Sequence, residues 1–526
     1  MLPAEVVWAT MGIYVVFMLT VAFIEYRMSR KNASVQGFAT GGGQIRWPIL
    51  IMTYVASLMS TWTFFAGPGG YYRAGIGYWL SEMSYICLFP LLMHFVMNKI
   101  WIINHAKGSN GFVTPTDFFC ERFKSPTLRV VLSVIFLCAS LPYVGSVLLA
   151  IGNAATIMTD GAIDYRHIVV FLGVLMIVYT AIGGVKSIAT TDAIQGVVYI
   201  SILVIIVVAC VGFAFGGSFA AAVDTIWANT NSWFSYPGPA QWTPYEARLA
   251  YPLQSAIGWT ILLPHVFIRS GFMAKNISEQ RKVASIVPFL QALVWTCTML
   301  IGMIGIACFT GLDTAATEYI IPYLIQNVIG EAAPVFASVL MVAFFVGACA
   351  VGISTADSFL LVAGTLVSRD IIQNTFKISV SEKKDLLITR IVVVVVGIIG
   401  VCVALFSEAL IWTLVQFAIA IVVPLFPACV LGIYWKKATK QAALVSSVAG
   451  FAVVLCTYFW WGVGDVWYSV PALAVSTVLM VGVSLVTKND PAESREFYRL
   501  LEEGEAATYE PLDEPSQEDE PKPQAA

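Results

Sequence analysis

Residues 352–358 read Gly-Ile-Ser-Thr-Ala-Asp-Ser, a group of hydroxyls and one carboxylate inside an otherwise apolar stretch. Such groups are expensive in lipid, and there they mark ion and substrate paths. A hard cation such as sodium needs several oxygen ligands. The adjacent hydroxyls of Ser354 and Thr355 could replace part of its water shell, given carbonyl oxygens freed by an unwound partner helix. An isolated Ser-Thr pair in such a helix more commonly bonds the carbonyl four residues back or a neighbouring helix. Asp357, two residues on, shifts the balance toward an ion.

A second ionisable group, Asp192, stands in Thr191-Asp192-Ala193-Ile194-Gln195 after Gly183-Gly184 and Lys186. Its plainer reading is an interfacial cap or a partner for Lys186. Two breaks could free carbonyls: Met59-Ser60-Thr61-Trp62-Thr63 before Gly67-Pro68-Gly69-Gly70, and Leu263-Pro264-His265. Proline and glycine also occur as simple kinks in membrane helices. His265 alone beside a proline reads as a hydrogen-bonded packing residue, not a proton relay.

The elements that must position these residues are membrane spans. The chain is 58% hydrophobic and 12% charged over 526 residues, with mean hydropathy +0.80, outside the range of soluble domains. About thirteen apolar stretches are long enough to cross a hydrocarbon core as helices. They run over 5–27, 47–70, 77–98, 128–157, 166–183, 190–214, 250–272, 284–309, 334–366, 388–406, 408–434, 441–462 and 467–486. The two breaks fall five spans apart, as first members of successive groups of five, the pattern of an inverted repeat whose discontinuous helices meet at the midplane.

Arg27, Arg30 and Lys31 follow the first span, which reads as a retained anchor with its N-terminus outside. Alternate threading then leaves only Arg73, Arg166 and Arg248 of the 29 Lys and Arg residues on the outer side, as the positive-inside rule requires. The C-terminus lies inside, in an inner (plasma) membrane. Beyond residue 487 the acidic run from Glu502 to Glu520 reads as a disordered cytoplasmic tail. It is too short for a folded output domain. The ten cysteines lie mostly within spans without a CxxC pair, which predicts free core thiols and no bound zinc. The four histidines are scattered, with no HxxxH or Ser-His-Asp grouping, so an enzyme is not expected. A channel is disfavoured because broken helices and paired hydroxyls suit an occluded site.

Taken in order, Gly183, Gly184, Thr191, Asp192 and Gln195, then Leu263, Pro264, His265 and Arg269, then Ser-Thr-Ala-Asp-Ser at 354–358 form a pattern. By it the chain resembles the sodium/solute symporters, the group that includes bacterial proline, pantothenate, sialic acid and galactose carriers, over roughly residues 5–486. The resemblance implies a leucine-transporter-like, all-α membrane fold. An extra N-terminal helix (1–32) would precede two inverted five-helix repeats (45–216 and 248–436), two accessory helices (437–487) and the tail (488–526). It implies a sodium site made by Ser354, Thr355, a carbonyl near Val351, and carbonyls of Ala56 and Met59. Some members hold a second sodium at positions mapping to Asp192, Ser354, Asp357 and Ser358. Here Asp357 replaces an expected hydroxyl, and it could strengthen cation binding, carry a proton, cap a helix end or pair with a cytoplasmic Lys or Arg. One sodium per solute is the default expectation.

The implied solute site adjoins the first break: Ser60, Thr61, Trp62 and Thr63, with Glu82, Tyr143, Trp259 and Thr260. The aromatic members read equally as packing or interfacial residues. Proline carriers have an Asp where this chain has Leu58, and sialic acid carriers use an Arg on the fourth span, where only Arg129 occurs, at its end. Hydroxyls, aromatics and helix N-termini remain, which can hold a carboxylate without a cationic side chain, although an ionised Glu82 would oppose an anion. The expected cargo is therefore a monocarboxylate or pantothenate-like acid, with a neutral or zwitterionic solute, amino acid or sugar-like, as the alternative. A solute sensor acting through a partner protein is the other rival. Expected partners are sodium, the solute and the bilayer, with no nucleic acid, in a monomer or weak oligomer.

Overall fold

A computed structural model describes residues 2–29, 34–108, 111–229, 231–236, 238–239, 246–378, 380–407, 409–461, 469–488 and 491–509. Among the described residues ten helices are long and apolar enough to cross a membrane. In lipid a helix satisfies its backbone polar groups within the segment, which is why apolar stretches of this length become helices. The main helices are α1 (Ala4–Ser29), α2 (Trp47–Leu58), α3 (Ala66–Ala74), α4 (Trp79–Leu92), α5 (Pro126–Met158), α6 (Tyr165–Phe215), α7 (Pro264–Phe272) and α8 (Ile277–Cys308). There follow α9 (Pro334–Thr365), α10 (Glu382–Phe406), α11 (Ile411–Val422), α12 (Lys440–Cys456), α13 (Ser469–Val486) and α14 (Pro491–Tyr509).

Helix α6 is 51 residues long, about 75 Å if straight, more than twice a hydrocarbon core. It is not straight. Gly184 has φ 65° and ψ −171°, a conformation that costs glycine little and other residues much. The Tyr179 hydroxyl lies 2.7 Å from that of Thr191, twelve residues on. A continuous helix would separate them by about 18 Å, so the chain reverses at Gly184 and 165–183 runs back against 185–215. A Cβ at Gly184 would stand 3.0 Å from the Phe38 carbonyl oxygen, which leaves no space for a side chain. Gly75 makes a similar excursion (φ 66°, ψ −157°) between α3 and α4.

The middle of the molecule is where α9 lies along α6, α2 lies along α6, and α5 lies between α9 and α11. The extra helix α1 packs on α6 and α9, and α12 and α13 form a hairpin at the other side. At one end of this core Arg129 Nη1 bonds both Asp117 and Asp370, each at 2.6 Å. It is thus a structural tie, as its place at the end of the span suggests.

The C-terminal segment requires a correction. Residues 491–509, expected to be disordered, form α14; residues 510–526 lie outside the described ones. The helix buries Phe497, Tyr498 and Leu501, and two of the acidic residues that suggested disorder flank that buried stripe, where lysines tie them down. Glu502 pairs with Lys436 at 3.1 Å, and Glu505 pairs with Lys99. A charge run at helical spacing over an apolar stripe is an amphipathic docking helix, and composition alone hides that phase.

Candidate functional site

Helix α2 ends at Leu58, and Met59 (φ −89°, ψ 101°) leaves the helical region. Ser60 is extended and caps the short helix that follows, its Oγ accepting from the Trp62 N–H at 3.2 Å. A helix that stops leaves its last carbonyls without intrahelical donors. One of them, Ala56 O, accepts from Ser354 Oγ on α9 at 3.2 Å. Ser354 Oγ also lies 3.0 Å from Val351 O, and Thr355 Oγ1 lies 3.1 Å from the same carbonyl. The structure therefore brings Ala56, Val351, Ser354 and Thr355 into one fully buried group of oxygens. Met59 stands beside it at the break, its sulfur accepting from Thr63 Oγ1 at 3.6 Å.

The second break matches the first. Leu263 (φ −58°, ψ 132°) ends a π-helical stretch, Ser255–Leu262, and Pro264 opens α7. Proline lacks the N–H that would continue the ladder and suits a first helical turn. His265 Nε2 lies 3.3 Å from Ser57 O, and its ring packs on Phe359 at 4.2 Å.

One turn along α9, a charged cluster adjoins the oxygens. Asp192 Oδ2 accepts from Arg269 Nη2 at 3.1 Å and from the Thr53 hydroxyl. Arg269 Nη2 also donates to Ser358 Oγ at 2.7 Å, and its Nε to Thr53 Oγ1 at 3.2 Å. Ser358 Oγ bonds Ser354 O at 2.7 Å, which links the two clusters, and lies 3.2 Å from Asp357 Oδ1. Asp192 Oδ1 and Asp357 Oδ2 are buried with no hydrogen-bond partner among the described residues. Sequence reasoning recorded Arg269 only as part of a pattern and offered Lys186 as the plain partner for Asp192; the partner is Arg269. The available signal was the arginine itself, since a guanidinium inside an apolar span requires a compensating group.

The residues named for the solute divide into two sets. Tyr143 donates to Ser60 Oγ at 2.9 Å. The Trp259 ring lies 6.5 Å from that of Trp62 and 6.0 Å from that of Tyr143. Thr61 Oγ1, at the break, is buried without a partner among the described residues. These five converge. Thr63 turns back to Met59, and Thr260 bonds the carbonyl of Ala256 in its own helix. Glu82, only 3% exposed, meets the Tyr78 hydroxyl and reaches the break indirectly, through Tyr78 and Trp412. The sequence reading missed Trp412, at the start of α11, whose ring lies 4.4 Å from Trp62 and 5.3 Å from Tyr78. Among so many aromatics nothing in the sequence singles it out. The whole group is closed to solvent, none of these side chains being more than 6% exposed.

A family model described as the sodium:solute symporter family matches residues 38–450. The osmoregulated proline transporter OpuE of Bacillus subtilis is 24% identical over 514 residues, covering 94% of this chain and 97% of that protein. The sodium/pantothenate symporter of Haemophilus influenzae is 24% identical over 440 residues, covering 83% and 87%. Among solved structures, a Na+-coupled sialic acid symporter in a substrate-bound outward-open state superposes with TM-score 0.75 at 19% identity, covering 92% of this chain and 98% of that one. MhsT in complex with L-phenylalanine gives 0.55 at 13% identity, covering 84% and 99%. The fold is thus shared with leucine-transporter-like carriers. With a family model matched over most of its length, the chain belongs to the sodium:solute symporter family, integral membrane transporters whose coupled ion is sodium.

Proposed function

We propose that this protein imports a small organic solute, a monocarboxylate or pantothenate-like acid, with sodium held at Ala56, Met59, Val351, Ser354 and Thr355. The observation that carries the reading is the 3.2 Å approach of Ser354 Oγ to Ala56 O. A hydroxyl pair on one helix faces a carbonyl at the unwinding end of another, so an ion entering there gains oxygen ligands from both helices at once. Sodium would then favour the conformation in which α2 and α9 lie together, and solute bound at Ser60, Thr61, Trp62, Tyr143 and Trp259 would share that preference. Two ligands that favour one state raise each other's affinity. In this reading Asp192, Asp357 and Ser358 form a second cation position, and Thr63, Glu82 and Thr260 shape the solute pocket from behind.

The acid reading is supported by the helix N-terminus at Pro264, which can hold a carboxylate without a cationic side chain, and by a pantothenate carrier among the relatives. Leu58 in place of an acidic residue speaks against an ammonium-bearing cargo. In this reading each broken pair counts as one crossing and the reversed α6 as two, thirteen in all, and the positive-inside pattern supports an N-terminus outside and a C-terminus inside. Purified protein should gain thermal stability with pantothenate or a short monocarboxylate, more so in sodium than in potassium. Stabilisation by neutral sugars or amino acids alone, with the same sodium enhancement, would favour the alternative cargo. Solute binding without concentrative uptake into proteoliposomes would favour a sensor.

A further inference from the structure

A cleft of about 850 Å³ opens where the α12/α13 hairpin meets α14. Lys436, Lys437, Lys488, Arg495 and Arg499 line it, and among the described residues Glu502 is the one carboxylate in its wall. Glu502 is engaged by Lys436 at 3.1 Å, and Arg499 meets Glu503 at 3.6 Å. No carboxylate among the described residues pairs with Lys437, Lys488 or Arg495, all three exposed. Five cations converging on one concave surface repel one another unless an anion sits among them.

The cleft also has an apolar side. Leu485, 67% exposed, lines it at the last turn of the membrane helix α13, and the next residue, Val486, is 82% exposed. An apolar wall at the end of a span faces acyl chains, and a cationic rim just beyond it faces headgroups. The floor is rigid. Tyr498 is buried, its hydroxyl bonds Gly432 O at 3.0 Å, and its ring carries Lys436 Nζ at 5.2 Å and the Arg122 guanidinium at 5.0 Å.

We infer that this cleft binds the phosphate headgroup of an anionic phospholipid, with the acyl chain descending along Leu485 and the phosphate held by Lys437, Lys488 and Arg495. A bound lipid would pin the first half of α14 to the membrane surface. The second half reaches the end of the span that continues from α4, through Glu505 to Lys99 and through Gly504 against Ile102. The lipid would therefore bear on an element close to the transport core.

Native mass spectrometry of the full chain in detergent tests this, with phosphatidylglycerol and phosphatidylcholine offered at equal concentration. Phosphatidylglycerol should be retained preferentially, and the variant Lys437→Gln/Lys488→Gln/Arg495→Gln should retain it about tenfold or more weakly. The charge-keeping variant K437R/K488R/R495K should retain it as the parent does. So should Lys282→Gln/Lys383→Gln/Lys384→Gln, which removes the same charge from exposed positions elsewhere. Equal retention of both lipids, unaltered retention in the first variant, or equal loss in the last would each overturn the assignment. Displacement of the lipid by millimolar inorganic phosphate would reassign the cleft to a soluble phosphate.

Discussion

Ser354 and Asp357 occupy neighbouring turns of α9 and meet opposite kinds of partner. The Ser354 and Thr355 hydroxyls bond backbone carbonyls, Ala56 O and Val351 O, so that cluster is built from dipoles and carries no net charge. Asp357, with Asp192, stands in a cluster of two carboxylates and one guanidinium, Arg269. A dipole cluster can gain or release a cation at small electrostatic cost, whereas buried charges must stay compensated whether or not an ion is present. The difference suggests a division of labour. In the proposed reading the hydroxyl cluster would report sodium to the broken helix, and the charged cluster would hold α2, α6, α7 and α9 in register and offer one oxygen of each carboxylate to a cation or a proton.

The largest expected effect breaks the dipole side. Ser354→Ala or Thr355→Ala should abolish sodium-driven uptake in proteoliposomes while the protein still folds; uptake that stays equally sodium-dependent in both variants removes the proposed site. On the charged side, Arg269→Gln leaves Asp192 uncompensated and should cost about 3–5 kcal/mol of stability. The double variant Arg269→Gln/Asp192→Asn should recover much of that loss, and a failure to recover in thermal melts would mean that the pair is not the main reason for the arginine.

A smaller effect sharpens the comparison. Asp357→Asn keeps shape and removes a charge, so the charge moved per solute, measured by flux against membrane potential, should fall by one. An unchanged ratio would make Asp357 a structural group with no part in coupling. Smallest is Tyr143→Phe, which removes the hydrogen bond to Ser60 and should weaken solute binding by about 1 kcal/mol, roughly fivefold. Sodium affinity in the absence of solute should be unaffected. A matching loss of sodium affinity would show that Ser60 serves the ion instead.

Much of the site was legible because its chemistry is local. Hydroxyls and a carboxylate in an apolar run at 352–358, and Gly and Pro breaks at 59–70 and 263–264, are anomalies visible against their own neighbours. What escaped is what distance along the chain conceals. Arg269 and Asp192 are 77 residues apart, and Trp412 reaches Trp62 from a helix 350 positions later. The reversal inside α6 was foreseen as two spans, since hydropathy dips near Gly184. The order in α14 was not, because a charge run was taken as composition without its phase.

The sequence by itself determined that the chain lives in a membrane, where it breaks its helices and which side chains are too polar to be there by accident. Each follows from a local cost, the price of a polar group or an unpaired backbone in lipid. Only the tertiary structure decided which cation compensates Asp192, that Trp412 meets Trp62, and that the C-terminal acidic stretch folds back onto Lys99 and Lys436. Those outcomes depend on how helices pack, and packing is set by the shapes of many side chains together, which no short window of residues contains.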